Sequence, residues 1–236
     1  MTKISEIEGK ERGLSNALTS RVSRKTFLKY AGASAAVSGL VLMGCSKDDP
    51  KGPSSVDLGS GDTGILNYAY LLEQLEAAFY TQVIASPYSG ITGDETTILT
   101  EIKMHELAHR DFFKAALSSS AIAQLSFDFS SINFSDRASV LGAAKTFEDL
   151  GVSAYNGAGK LFTSGGYLLL AGKIVSVEAR HASTLRDLLN PFSADFAGDD
   201  VITVDNGLDL AKAPADVLMA AAKYVKGTVK YDNLPS

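Results

Sequence analysis

From Ile65 onward the apolar positions recur at helical spacing, and the chain divides into four segments of that kind. The first, "ILNYAYLLEQLEAAFYTQVIA", places Leu66, Tyr70, Ala77 and Tyr80 on one stripe and sets Glu73 among them. A turn-rich "SPYSGITGD" leads into "DETTILTEIKMHELAHRDFFKAAL", whose first-turn acids suit a helix N-terminus. Its stripe runs Leu99, Ile102, Glu106, His109, Phe113, Ala116. The pattern breaks over residues 118–135, where serines and an alternating "LSFDF" predict a long crossover or a short strand. A third helix is expected from near Ser135, with the stripe Leu141, Ala144, Glu148, Gly151, Tyr155. The fourth carries Ala171, Ile174, Glu178, His181, Leu185, Leu188 and stops at "NPF", because proline cannot continue it. The "SGGY" before it, residues 164–167, reads as a hairpin turn and not a phosphate loop, since no Lys-Ser/Thr follows.

Two helix hairpins joined by one long connection predict an all-α four-helix bundle over residues 65–190, with the crossover between helices 2 and 3. Residues 191–236 form a C-terminal extension in which one short helix is expected, around Ala215 to Tyr224. Residues 46–64, rich in Gly, Ser and Pro, read as a flexible linker.

Residues 1–45 have the texture of an export signal: a basic "SRVSRKTFLKY" and then a mildly apolar "AGASAAVSGLVLMG". "SRKTFLK" resembles a twin-arginine motif with Lys25 in place of the second arginine, and "LMGC" resembles a lipobox in which Cys45 is lipidated and becomes the first mature residue. The expected location is therefore the bacterial cell envelope, with a membrane anchor at Cys45. Cys45 is the chain's one cysteine, so no disulfide can staple the domain. Removing the seven Lys/Arg and three Asp/Glu of residues 1–45 leaves 15 basic and 24 acidic residues, a net charge of −9. Such a chain has no electrostatic footprint for nucleic acid.

The polar residues on the apolar stripes carry the candidate chemistry. "LEQLEAAFY" laid over "FEDLGVSAY" aligns Glu73 with Glu148 and Tyr80 with Tyr155, and Glu106-Leu-Ala-His109 aligns with Glu178-Ala-Arg-His181. Each half thus supplies one Glu and one Glu-x-x-His, the pattern of di-iron and di-manganese carboxylate bundles. Residues three apart share a helix face, so each carboxylate–imidazole pair can reach one metal axis. Two divalent cations would neutralise four carboxylates that otherwise repel one another in a core. Oxygen and nitrogen donors without thiolate suit iron or manganese. The expected metal ligands are Glu73, Glu106, His109, Glu148, Glu178 and His181. Behind them stand Glu76, whose repeat partner is Gly151, and Tyr80, Tyr155 and His105. Glu76 is expected either just behind the ligands or on the surface, and so is His105. The tyrosines are expected to pack with their hydroxyls on carboxylates, a redox-active role being the sharper alternative.

With these motifs, residues 64–190 resemble the ferritin-like superfamily. "LEQLEAAFY" and "HELAHRDFF" look like its exported bacterial branch, related to plant desiccation-associated proteins. The resemblance implies that Glu106 and Glu178 bridge two metals, that Glu73 and Glu148 are terminal carboxylates, and that His109 and His181 cap one metal each. It implies reaction with oxygen or peroxide, of the ferroxidase, peroxidase or catalase kind. The chain lacks the cysteine pairs of a rubredoxin-like electron relay. Three readings stay open: a redox enzyme, a non-catalytic exported module with a structural or vestigial metal, and a storage cage. Oligomeric state is likewise open, a homodimer being one option.

Overall fold

The computed structural model describes residues 55–236. The export signal, Cys45 and the first part of the linker lie outside the described residues. Four long helices build the domain: α1 (Gly61–Ala85), α2 (Gly93–Leu117), α3 (Arg137–Gly159) and α4 (Gly165–Leu189). α1 packs on α2 and α3 on α4 as hairpins, and α1 meets α3 across the bundle. Among the described residues, no helix is long and apolar enough to cross a membrane.

Helix ends follow local chemistry. Thr92 and Glu95 close a reciprocal capping box at the start of α2, the Glu95 amide donating to Thr92 Oγ1 at 3.1 Å and the Thr92 amide to Glu95 Oε2 at 2.9 Å. The same Glu95 accepts from Arg137 Nε at 2.6 Å, which ties the start of α2 to the start of α3. Asp136 caps α3 by accepting from the Ser139 amide at 2.7 Å.

The crossover behaves as its sequence suggests. A 3₁₀ turn at Ser118–Ser120 gives way to a two-residue strand, Ser126–Phe127, within "LSFDF". Buried polar groups on α1 hold this irregular backbone. Asn67 donates to the carbonyls of Leu58 and Ser120 and accepts from the Ile122 amide, and Gln74 accepts from the Leu125 amide at 2.8 Å. Backbone groups that would be orphaned under the crossover are thereby satisfied.

The extension is more ordered than expected. The short helix α5 (Pro214–Ala221) appears where the sequence placed it, with proline at its first turn, and runs on as a 3₁₀ turn to Tyr224. Numbering the strands along the chain, β1 is Ser55–Asp57, β2 is Ser126–Phe127, β3 is Val225–Lys226 and β4 is Thr228–Lys230. β2 pairs antiparallel with β3, and β1 pairs parallel with β4. The second half of the expected linker is thus corrected: residues 55–64 belong to the folded domain. Val56 and Leu58 are buried, and α1 begins four residues before Ile65. The short alternation in "SVDL" becomes a strand because a distant segment pairs with it, a long-range cause that local composition does not carry.

Two further contacts fasten the extension. Lys212 donates its amide to Ser153 O at 2.9 Å, crossing α3 so closely that a Cβ on Gly157 would fall 1.8 Å from Lys212 O. Arg186 forks onto both carboxylate oxygens of Asp149 and of Asp200, at 2.7 to 3.0 Å.

Candidate metal centre

The six predicted ligands arrive from all four helices: Glu73 from α1, Glu106 and His109 from α2, Glu148 from α3, and Glu178 and His181 from α4. The four glutamates are fully buried, and two overlapping clusters form among the six residues. One is Glu73, Glu106, His109 and Glu178, and the other is Glu106, Glu148, Glu178 and His181. Within each, one donor atom per residue lies within 4.8 Å of the rest. Metal–ligand bonds of about 2.0–2.2 Å put opposite donors about 4 Å apart, so both clusters have the span of a coordination shell. Glu106 and Glu178 are common to both, the arrangement two neighbouring ions require of bridging carboxylates.

The contacts within the clusters are close but poorly aligned. His109 Nδ1 lies 2.8 Å from Glu178 Oε1 and 3.5 Å from oxygens of both Glu73 and Glu106. His181 Nδ1 lies 2.9 Å from Glu106 Oε1, 3.1 Å from Glu178 Oε2 and 3.3 Å from Glu148 Oε2. Yet Glu73 Oε2, both oxygens of Glu106, His109 Nδ1, Glu148 Oε2 and Glu178 Oε1 are buried without a hydrogen-bond partner. Native interiors leave few such atoms. Six of them converging on one small volume fit cation ligands, and the residues present suit a pair of divalent ions.

Of the three remaining carboxylate oxygens, Glu178 Oε2 is paired with His181 Nδ1 and the other two are taken by tyrosines, each serving the glutamate of the facing helix. Tyr80 on α1 donates to Glu148 Oε1 at 2.6 Å, and Tyr155 on α3 donates to Glu73 Oε1. Burial, with these carboxylates alongside, pushes both phenols well above their ordinary pKa, so they remain O–H donors. The packed, hydrogen-bonded arrangement expected for the tyrosines is the one found.

Charge divides unevenly over the cluster. Burial pushes Glu73 up to about 8 and Glu148 well upward, against the pull of their histidines. Glu178 goes the other way, to about 2, because two imidazoles face it and outweigh its burial. Burial alone would lower both histidines. The surrounding carboxylates reverse this, raising His181 to about 12 and His109 at least as decisively.

Glu76 is buried, so its surface alternative is corrected. Its Oε1 sits 3.0 Å from where a Cβ on Gly151 would lie. The repeat pairing of Glu76 with Gly151 is therefore a steric fit of large against small across α1 and α3. Burial first, then the charges of Glu148, Glu106, Glu178 and Glu73, push its carboxyl well upward. His105 satisfies both of its alternatives: its residue surface is exposed, while its Nδ1 lies 2.9 Å from His181 Nε2, the two rings meeting edge to edge at 9° with centroids 5.1 Å apart. The buried amides Asn67 and Gln74, which pin the crossover, lie outside the set that the ligand pattern picks out. Their signal was polarity at positions of α1 off the ligand stripe.

The architecture and these paired clusters define a four-helix bundle built around a carboxylate–histidine centre able to hold metal. The model of the ferritin-like domain matches residues 61–191, more than half of the chain, and the protein belongs to that family. A search of curated proteins returns no match.

Proposed function

We propose that the protein binds two iron or manganese ions, one between Glu73 and His109 and the other between Glu148 and His181, with Glu106 and Glu178 shared. The observation that carries this is the pair of overlapping clusters with two glutamates in common. When bound, such ions supply one-electron redox chemistry toward oxygen or peroxide. The protein's own residues do the rest. Tyr80 and Tyr155 each occupy one oxygen of a terminal glutamate and leave the other for the ion. Histidine and carboxylate donors must shed their protons to bind, so loading releases protons. His109 keeps 15% of its side-chain surface, more than any other of the six ligands, so the way in for a small oxidant is expected on the α2 side.

The mature protein begins, on this reading, at a lipidated Cys45 in the bacterial envelope, which the "LMGC" motif supports. Elemental analysis after anaerobic loading with Fe(II) or Mn(II) tests the metal, with two ions per chain expected. Fe(II) oxidation and peroxide consumption by the same sample test the chemistry. A loaded protein inert in both assays would leave the centre structural, and a protein that takes up no metal would remove the reading altogether.

A further inference from the structure

The two halves of the centre, tyrosines included, are related by the internal repeat, but His105 and Glu76 behind them are not. His105 precedes Glu106 on α2, and the position matched to it on α4 is Val177. The His105 ring lies edge to edge with that of His181 and nearly parallel to it, at 9° with centroids 5.1 Å apart, and its Nδ1 is 2.9 Å from His181 Nε2. His181 turns Nδ1 toward Glu106, Glu148 and Glu178, so the nitrogen that meets His105 is the one facing away from the cluster. For Nδ1 to offer a lone pair to an ion, the imidazole must keep its proton on Nε2, and His105 Nδ1 is placed to accept that proton's hydrogen bond. Val177 offers no such acceptor to the other half. The surroundings reinforce the difference, since the His181 side chain is 6% exposed and that of His109 is 15%. An extra carboxylate, Glu76, also lies against Gly151, one turn along α3 from Glu148.

We infer that the two metal positions are unequal by construction, and that His105 is the positioning residue that makes the Glu148/His181 position the tighter one. This rests on the dinuclear reading above. A hydrogen bond from the distal nitrogen of a ligand histidine fixes its tautomer and strengthens it as a donor, and its loss typically weakens metal binding about 10–100-fold.

The test is anaerobic competition of Co(II) between the full chain and a chromogenic chelator, with the Co(II) ligand-field spectrum recorded at each step. Wild-type protein should bind two Co(II) in two resolved steps. His181→Ala should remove the tighter step and His109→Ala the weaker, which assigns them. His105→Phe keeps an aromatic ring at the edge of His181 but has no acceptor, and should weaken the tighter step about 10–100-fold while leaving the weaker one in place. His105→Asn returns an acceptor near the Nδ1 position and should restore most of the affinity. His105 is exposed, so these variants should fold, as far-ultraviolet circular dichroism will register. Two indistinguishable steps, a His105→Phe effect shared by both steps, or loss of the tighter step in His109→Ala would each overturn the inference and leave the dinuclear centre standing. No Co(II), Fe(II) or Mn(II) uptake by the wild type would overturn both.

Discussion

The inner pair of helices, α1 and α3, differs from the outer pair, α2 and α4, in almost every physical respect. α1 buries 17 residues and α3 buries 13, whereas α2 buries 6 and α4 buries 8. The crossover and extension contribute to this, since Asn67 and Gln74 on α1 hold the crossover and Ser153 and Gly157 on α3 carry Lys212. The inner helices supply lone glutamates and tyrosines, and the outer ones supply Glu-x-x-His. Protonation follows the same line. Glu73, Glu76 and Glu148 are driven toward the neutral acid, while the outer helices keep an ionised Glu178 between two raised histidines. Burial is concentrated in the inner pair, and the imidazoles, with the partly exposed His109, in the outer.

The largest effect should come from the inner helices' apolar core. Phe79 is fully buried and meets Tyr80 and Phe147 edge-on at 5.1 and 5.0 Å. Phe79→Ala should cost about 3–5 kcal/mol in denaturant unfolding. Met104→Ala, at a 43% exposed position of α2, should stay within about 0.5 kcal/mol. Equal losses from the two would dissolve the contrast.

The second effect concerns pH. In the metal-free protein Glu73, Glu76, Glu148, His109 and His181 all have folded pKa values above their unfolded ones, so the folded state binds more protons. Their contribution is complete below the unfolded values and is lost as pH rises through the folded ones, for Glu73 between 4.5 and about 8. Glu178 opposes this only as pH falls from 4.5 toward about 2. The melting temperature of chelator-treated protein should therefore fall from about pH 5 to about pH 8. Bound metal replaces those protons, so the gain in melting temperature on loading should grow over the same range. Melts at three pH values with and without Mn(II) provide the measurement, and a metal-free melting temperature that climbs with pH would contradict the charge division.

A third, smaller effect concerns the two tyrosines of the inner pair. Tyr80→Phe removes the donor to Glu148 and leaves a buried carboxylate oxygen unpartnered, at a cost of about 1–3 kcal/mol. Chemical denaturation of the metal-free variant checks this, and Tyr155→Phe should match it through Glu73.

Much of this contrast was legible in the residues. The stripes located all four helices, and the doubled Glu plus Glu-x-x-His selected the six side chains that converge, because ligands on one helix face are a local, periodic signal. What escaped depends on distant partners. The strand at Ser55–Asp57 exists through its pairing with Thr228–Lys230, the cross-helix exchange of Tyr80 and Tyr155 needs the α1/α3 seam, and the tie from Arg186 joins residues with no common period. The capping box at Thr92 and Glu95, by contrast, is a local Thr-x-x-Glu signal that needs no distant partner.

The finest probe compares two helical glycines. On α3, a Cβ at Gly151 would stand 3.0 Å from Glu76 Oε1, in a seam already filled by a buried carboxylate. Gly151→Ala gains helix propensity, but Glu76 must shift, and the crowding should turn the balance to a net loss of about 1 kcal/mol. On α4, a Cβ at Gly172 meets nothing within 4 Å, so Gly172→Ala should stabilise by about 0.5–1 kcal/mol. Denaturant unfolding of the pair, together with Glu76→Ala/Gly151→Ala, locates the cause. Once Glu76 is shortened, Gly151→Ala should become as favourable as Gly172→Ala, because the inner seam then has the room that the outer helix already has. If the double variant keeps the full penalty, the constraint at Gly151 comes from the helix backbone and not from the carboxylate lying over it.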